Sequence, residues 1–286
     1  MGKHRLNRER NRRLLNRMLA NRSFVTGSIL TLLMIALALF APLIANHDPY
    51  EMDVVNRLSK PDAGNWFGTD NLGRDVFSRV VYAAQSSMGV GLTATLITGA
   101  LGLAVGLFAA YYKFLDHLLM RICDGLMAMP VILLAIFIVA TLGAEIRNLI
   151  IALTIVYTPT IARIISSAAI VVKEQTYIEA VRSQGASNPR IIWRHIMPNT
   201  LSPLIVQATF IFADAIILEA ALSFFGAGVP APTPSWGNII YDGKNVIYNA
   251  WWMTVFPGAT IILCVLGLNL FGDGLRDLMD PHTVKK

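Results

Sequence analysis

Asp214 and Glu219 are the only acidic residues in the apolar run 201–222, and they are the first candidates for chemistry. A carboxylate inside hydrocarbon is costly enough to suggest an ion, proton or substrate pathway by default. Five helical positions turn the two side chains about 140° apart, so they do not make a paired acid site. Glu219, nearer the end of the run, reads as a structural group reaching water or a backbone partner. Asp214 lies deeper and stays open between lining a pathway and making a local hydrogen bond. The histidines His4, His47, His117, His195 and His282 are scattered over tail and loops. Cys123 and Cys264 fall in or beside apolar runs, which supports neither a metal cluster nor a disulfide framework. GxSxG, HExxH and GxxxxGK[ST] are all absent from the sequence. Without a P-loop, this chain cannot cradle nucleotide phosphates by itself, and any ATP-driven work needs another polypeptide. No convergent nucleophile, base or metal set points to an enzyme.

The second candidate is a polar interruption, EAVRSQGASNPRIIWRHIMPN, from Glu179 to Asn199. Glu179, Arg182, Arg190, Arg194 and His195 are spaced among Ile178, Val181, Ile191, Ile192 and Ile196. Apolar residues recurring every three or four positions around Gly185 predict two short amphipathic helices joined by a tight turn. Asn188-Pro189 suits the start of the second helix, and Pro198 is expected to close it. His195 has no physical account at this stage.

The elements that must position these residues belong to a membrane protein. Of 286 residues, 55% are hydrophobic and 15% charged, where a soluble domain carries about 25% charged. Residues 24–45 run uncharged for long enough to cross the ~30 Å hydrocarbon core. No cleavable signal peptide is evident, so this run reads as an anchor. Further spans are predicted near 88–112, 126–142, 149–168, 201–222 and 253–271, the third short and beginning near Met129-Pro130. The predicted architecture is all-α, with a basic tail at 1–23, an external loop at 46–87, and a core at 88–286 holding a polar loop at 173–199.

Six spans put both termini on one side, and lysine and arginine decide which. With the N-terminus inside, eighteen of the 24 basic residues fall on the inner side and six on the outer. Both termini and the 179–199 stretch are therefore expected in the cytoplasm. The net charge of +6 is local to tail and loops, which argues against a nucleic-acid-binding face. Interleaved Leu14, Leu15, Met18 and Leu19 would let the tail lie on an anionic leaflet.

In the outer loop, Asp70 or Asn71 is a candidate cap for an interfacial helix. Val76, Phe77, Val80 and Val81 would form its apolar face, with Arg74, Asp75 and Arg79 at the edges. Gly102 and Gly106 form a GxxxG pair suited to close helix packing in lipid. Pro230, Pro232 and Pro234 make the last outer loop stiff, and Gly272, Asp273 and Gly274 are expected to stop the sixth span.

At 179–198 the sequence resembles the cytoplasmic EAA loop of bacterial ABC importer permeases: EAA, three residues, G, nine residues, then I-x-L-P. Glu179, Ala180, Gly185 and Pro198 match at that spacing, while Val181, His195 and Met197 depart from it. FGTDNLGRDVFSR (67–79), APTPSWG (231–237) and NLFGDGLRDLMDP (269–281) are similar to the C-type subunit of the peptide/nickel branch. The resemblance covers 24–281 and implies a type I permease fold in the bacterial inner membrane. It implies a similar second permease, two cytoplasmic ABC ATPases that bind ATP and magnesium, and an external substrate-binding protein. No cofactor is expected in this chain. Di- or oligopeptides are the implied cargo, with nickel or a metal–chelator complex as the alternative. The EAA loop would dock in the ATPase through Glu179, Ala180, Gly185 and Pro198, to which the apolar spacing adds Ile191. A stand-alone secondary transporter would want internal repeats, and no convincing repeat relates the halves.

Overall fold

The computed structural model describes residues 17–279, so most of the basic tail at 1–23 lies outside the described residues. Among the described residues the main elements are helices. In chain order they are α1 (Arg22–Leu39), α2 (Val76–Tyr111), α3 (Lys113–Met127), α4 (Val131–Leu142), α5 (Ile146–Lys173), α6 (Thr176–Ser183), α7 (Asn188–Phe224), α8 (Trp236–Lys244) and α9 (Trp252–Met279).

Five of these, α1, α2, α5, α7 and α9, are long and apolar enough to cross a membrane, and the sixth candidate is the pair α3–α4. Those two helices meet at 94°. At 1.5 Å per residue α4 spans only about 18 Å, too little to cross alone. Pro130 causes the break: it lacks an N–H, and its ring drives Met129 out of the helical region. The third span predicted at 126–142 is therefore a 12-residue helix starting at Val131, preceded by a charged helix set across it.

The most extensive helix contact joins α2 to α5. Here the GxxxG pair acts as predicted. A Cβ at Gly102 would come 2.5 Å from the Ile161 side chain, and one at Gly106 would come 2.6 Å from the Ala162 carbonyl. At the other edge α1 packs on α9, with Phe24 and Phe271 rings 5.4 Å apart and Asn21 Nδ2 donating to Asp277 Oδ2 at 3.2 Å. Gly272 and Gly274 do not stop the sixth span. Both are buried against neighbouring helices, Gly274 beside Phe24, and α9 continues to Met279. Small residues there serve helix approach rather than termination. Ser202 and Pro203 near the start of the α7 span share a cavity with Arg276 and Met279 at the end of α9. The start of α1 and the end of α9 thus meet at one end of the helix bundle.

On the opposite side, the interfacial helix expected before the second span is not separate. It is the opening of α2, which runs unbroken from Val76 to Tyr111. Its cap is neither Asp70 nor Asn71 but Asp75, whose carboxylate accepts from the Ser78 N–H at 2.7 Å. Arg74 and Arg79 are buried rather than at an edge, because carboxylates meet them. Asp70 accepts from Arg74 Nε at 2.6 Å and lies 3.6 Å from Arg79 Nε, while Arg74 Nη2 reaches Asp242 on α8 at 3.4 Å. Burial pushes the Asp242 carboxyl above the usual carboxylate range, with Arg74 and then Arg79 opposing it. The proline-rich loop leads into α8, which opens on a capping box: Ser235 Oγ accepts from Asn238 N–H, and Asn238 Oδ1 accepts from Ser235 N–H.

Candidate functional site

The 173–199 segment forms a compact shoulder where α2, α5 and α7 end together. Its base is apolar. Ile178, Ile191, Ile192 and Ile196 are buried against Leu107, Ile161 and Ile165 of the long helices. Burying an isoleucine side chain contributes roughly 1.5–3 kcal/mol, so four such residues seat the segment firmly. Polar ties fix its edges. Lys173 Nζ donates to the Ala110 and Tyr111 carbonyls at 2.9 and 3.2 Å, occupying the C-terminal end of α2. Tyr111 Oη donates to Asn188 Oδ1 at 2.7 Å. Lys173 and Arg182 both stand over the Tyr111 ring, at 5.5 and 5.9 Å. These anchors, with Lys173 and Tyr111 at their centre, carried no periodic signal in the sequence.

The predicted pair of helices with a glycine turn is present. Gly185 has φ +81°. Its N–H bonds the Arg182 carbonyl at 2.9 Å, and the Ala186 N–H bonds the Val181 carbonyl at 3.3 Å. This is the bonding of a Schellman turn, which requires the left-handed conformation at the residue after the cap. A Cβ at Gly185 would meet nothing within 4 Å, so backbone conformation rather than space demands glycine here.

The second helix begins at Asn188 with Ser187 as N-cap, one residue earlier than predicted, so Pro189 sits at the second helical position. It does not close at Pro198. A π-helical turn over Ile192–Ile196, with the Met197 N–H bonding the Ile192 carbonyl, carries it directly into the fifth span. Pro198 offers no N–H to the Arg194 carbonyl and would crowd it; the wider turn relieves that crowding and lets the axis continue. The Asn199 side chain returns a bond to the His195 carbonyl at 2.7 Å. His195 itself is half-buried within the π turn.

Of the residues singled out from sequence, Glu179, Ala180, Gly185 and Pro198 are exposed. Ile191 is fully buried and belongs to the base. The exposed side also carries Arg182, Arg190, Arg194 and a half-exposed Trp193, whose ring stands edge-on to Phe108 at 6.4 Å. Arginine and tryptophan presented on a rigid base are what protein interfaces concentrate.

The two carboxylates of α7 have opposite surroundings. Asp214 is exposed on the helix flank beside Ile217, and Tyr157 Oη donates to its backbone carbonyl at 3.1 Å. Glu219, expected to reach water or backbone, does neither. It is fully buried, and Ser223 Oγ donates to its Oε1 at 2.7 Å. Helix packing from α2 and the loop before α8 closes over it, which its position near the run's end did not reveal. On α3 and α5, the half-exposed Asp124 and Arg163 form an ion pair. Among the described residues no group of three or more histidine, cysteine, aspartate or glutamate side chains could hold a metal.

Residues 102–285 match the family described as binding-protein-dependent transport system inner membrane component. Residues 11–61 match the N-terminal TM domain of oligopeptide transport permease C. The chain is 48% identical over 250 residues to the dipeptide transport system permease protein DppC of Alkalihalophilus pseudofirmus, covering 86% of this chain and 82% of that one. It is 45% identical over 252 residues to the glutathione transport system permease protein GsiD of Escherichia coli O6:K15:H31, covering 87% and 83%. Among solved structures it resembles the inward-facing MetNI methionine ABC transporter, with a TM-score of 0.60 at 21% identity over 71% of this chain and 98% of that chain. That likeness speaks to the fold alone.

Proposed function

Because the chain belongs to the family of binding-protein-dependent transport system inner membrane components, we propose that it carries di- or oligopeptides inward as the permease of an ATP-driven ABC importer. Relatives named for dipeptide and glutathione transport favour peptide over nickel as cargo. The partners are a second, similar permease, two ABC ATPases that bind ATP and magnesium, and an external binding protein. Both termini and the 173–199 segment face the cytoplasm, as the lysine and arginine distribution supports.

One observation carries the coupling role: an exposed face of Glu179, Arg182, Arg190, Trp193 and Arg194 stands on a buried isoleucine base and is continuous with a membrane span. Such a segment is gripped from the water and moves a helix in the bilayer. Closure of the ATPase pair draws the docked segments together, and the spans rock between two accessible states. Asp214, an acidic residue exposed at membrane depth, faces the pathway or the second permease rather than lipid, since a carboxylate against hydrocarbon is expensive.

The test is to purify the tagged chain in mild detergent, identify its companions by mass spectrometry, and reconstitute the complex in liposomes. ATP-dependent uptake of a labelled dipeptide is expected. Uptake by this chain alone without ATP would sink the ATPase coupling, and ATP-driven nickel uptake without dipeptide uptake would sink the peptide reading.

A further inference from the structure

Glu219 is fully buried in the span that begins at the coupling segment, and its hydrogen-bond partner is a hydroxyl rather than a cation. Ser223 Oγ donates to it at 2.7 Å and accepts from the Val229 N–H at 3.1 Å. Ser235 Oγ donates to the same Ser223 oxygen at 3.3 Å. Ser87 on α2 accepts from the Trp236 N–H at 3.3 Å. Ser235 thus reaches the Glu219–Ser223 pair through the Ser223 oxygen and Ser87 stands beside it through Trp236, while Glu219 Oε2 has no hydrogen bond among the described residues. Three parts of the chain therefore meet around the Glu219–Ser223 pair: α2, α7 and the outer segment 226–236.

The outer segment is pressed onto this point. A Cβ at Gly228 would collide with Ser223 Oγ, and one at Gly237, just past the segment, would come 2.5 Å from the Ala220 carbonyl and 2.6 Å from Ser223 Cβ. The opposite end of the same helix is the coupling surface. From Asn188 to Phe224 the chain is a single 37-residue helical run, about 55 Å long at 1.5 Å per residue.

We propose that Glu219 is a positioning residue for transport: by holding the Ser223 hydroxyl, to which Val229 and Ser235 bond, it latches the outer segment 226–236 to the far end of the helix that the coupling segment drives. Displacement of the Asn188 end then reaches the outer segment through one rigid element, with Ser223, Ser87 and Ser235 as the fastening. This rests on the coupling role proposed above.

The experiment uses the complete importer in nanodiscs with an Ala227→Cys reporter and a membrane-impermeant maleimide; the native Cys123 and Cys264 are buried. Labelling is compared with and without ATP and vanadate. In the otherwise unaltered complex, labelling is expected to change with nucleotide. Glu219→Ala should raise labelling about tenfold, the scale of one or two net hydrogen bonds lost. It should also erase the nucleotide response while ATP hydrolysis persists. Glu219→Gln, which keeps size and hydrogen bonding, should restore both. Ser235→Ala loosens the latch from the loop side without touching the span, and should move labelling in the same direction by less. A Glu219→Ala or Ser235→Ala complex whose labelling and nucleotide response match the unaltered one overturns the latch. So does a Glu219→Gln complex that behaves like Glu219→Ala. If the unaltered reporter ignores nucleotide, the coupling reading fails instead.

Discussion

The two ends of the molecule use charge in opposite ways. At the end opposite the 173–199 segment Asp70, Arg74 and Arg79 are buried at 1%, 5% and 2% exposure, and they pair with one another. In the 173–199 segment Glu179, Arg182, Arg190 and Arg194 are all exposed, and isoleucines do the anchoring. Buried ion pairs fix a shape at high cost if broken, whereas exposed charges contribute little to stability and are free to meet a partner. The loops at that end are thus a rigid platform held from within. The 173–199 segment is a presented surface held from beneath.

This contrast can be broken first where it is strongest. Arg74→Ala leaves Asp70 and Asp242 without their shared partner, so the folded state should lose roughly 3–5 kcal/mol. Thermal unfolding in detergent should show a large drop in midpoint and little monodisperse protein; a normal midpoint would mean the outer network is decorative. Ile191→Ala comes next. It removes a buried side chain from the apolar base of the 173–199 segment and should cost about 2–5 kcal/mol. That residue stands among the predicted docking positions, yet it should lose stability and uptake together. Loss of uptake at unchanged stability would return it to the contact surface.

Part of this was legible before any coordinates. Hydrocarbon thickness and charge-free length reveal spans without tertiary information, and Gly102 and Gly106 announced a close helix approach through their spacing alone. The turn at Gly185 was legible because only a left-handed residue completes that turn. Other features had no local signal. Arg74 meets Asp242 from 168 positions away, so its burial could not be read from an outer loop that looks amphipathic. Glu219 is sheltered by serines from three separate stretches. The capping box Ser235–Asn238 was in the sequence and would have marked α8, but the prolines before it suggested only stiff chain. At Pro198 a general rule misled: proline normally ends a helix, and here the π turn before it absorbs the conflict.

Smaller effects sharpen the contrast from the other side. Gly185→Val forces a branched residue to φ +81° and should cost about 1–2 kcal/mol. It should abolish most ATP-dependent uptake while the protein still inserts and purifies; full uptake would show that the turn is not needed for coupling. Smallest in stability and most telling in function is Glu179→Lys. The Glu179 side chain is exposed and the structure gives it no ion pair among the described residues, so the midpoint should move by no more than about 0.5 kcal/mol equivalent. Reversing its charge nevertheless puts repulsion where a partner surface is complementary, and like-charge juxtaposition across an interface costs several kcal/mol. ATPase co-purification and uptake should therefore fall at least about tenfold with melting unchanged. A variant that keeps both would leave the exposed face without a partner, whereas loss of stability would show that Glu179 belongs with the buried charges of the outer side.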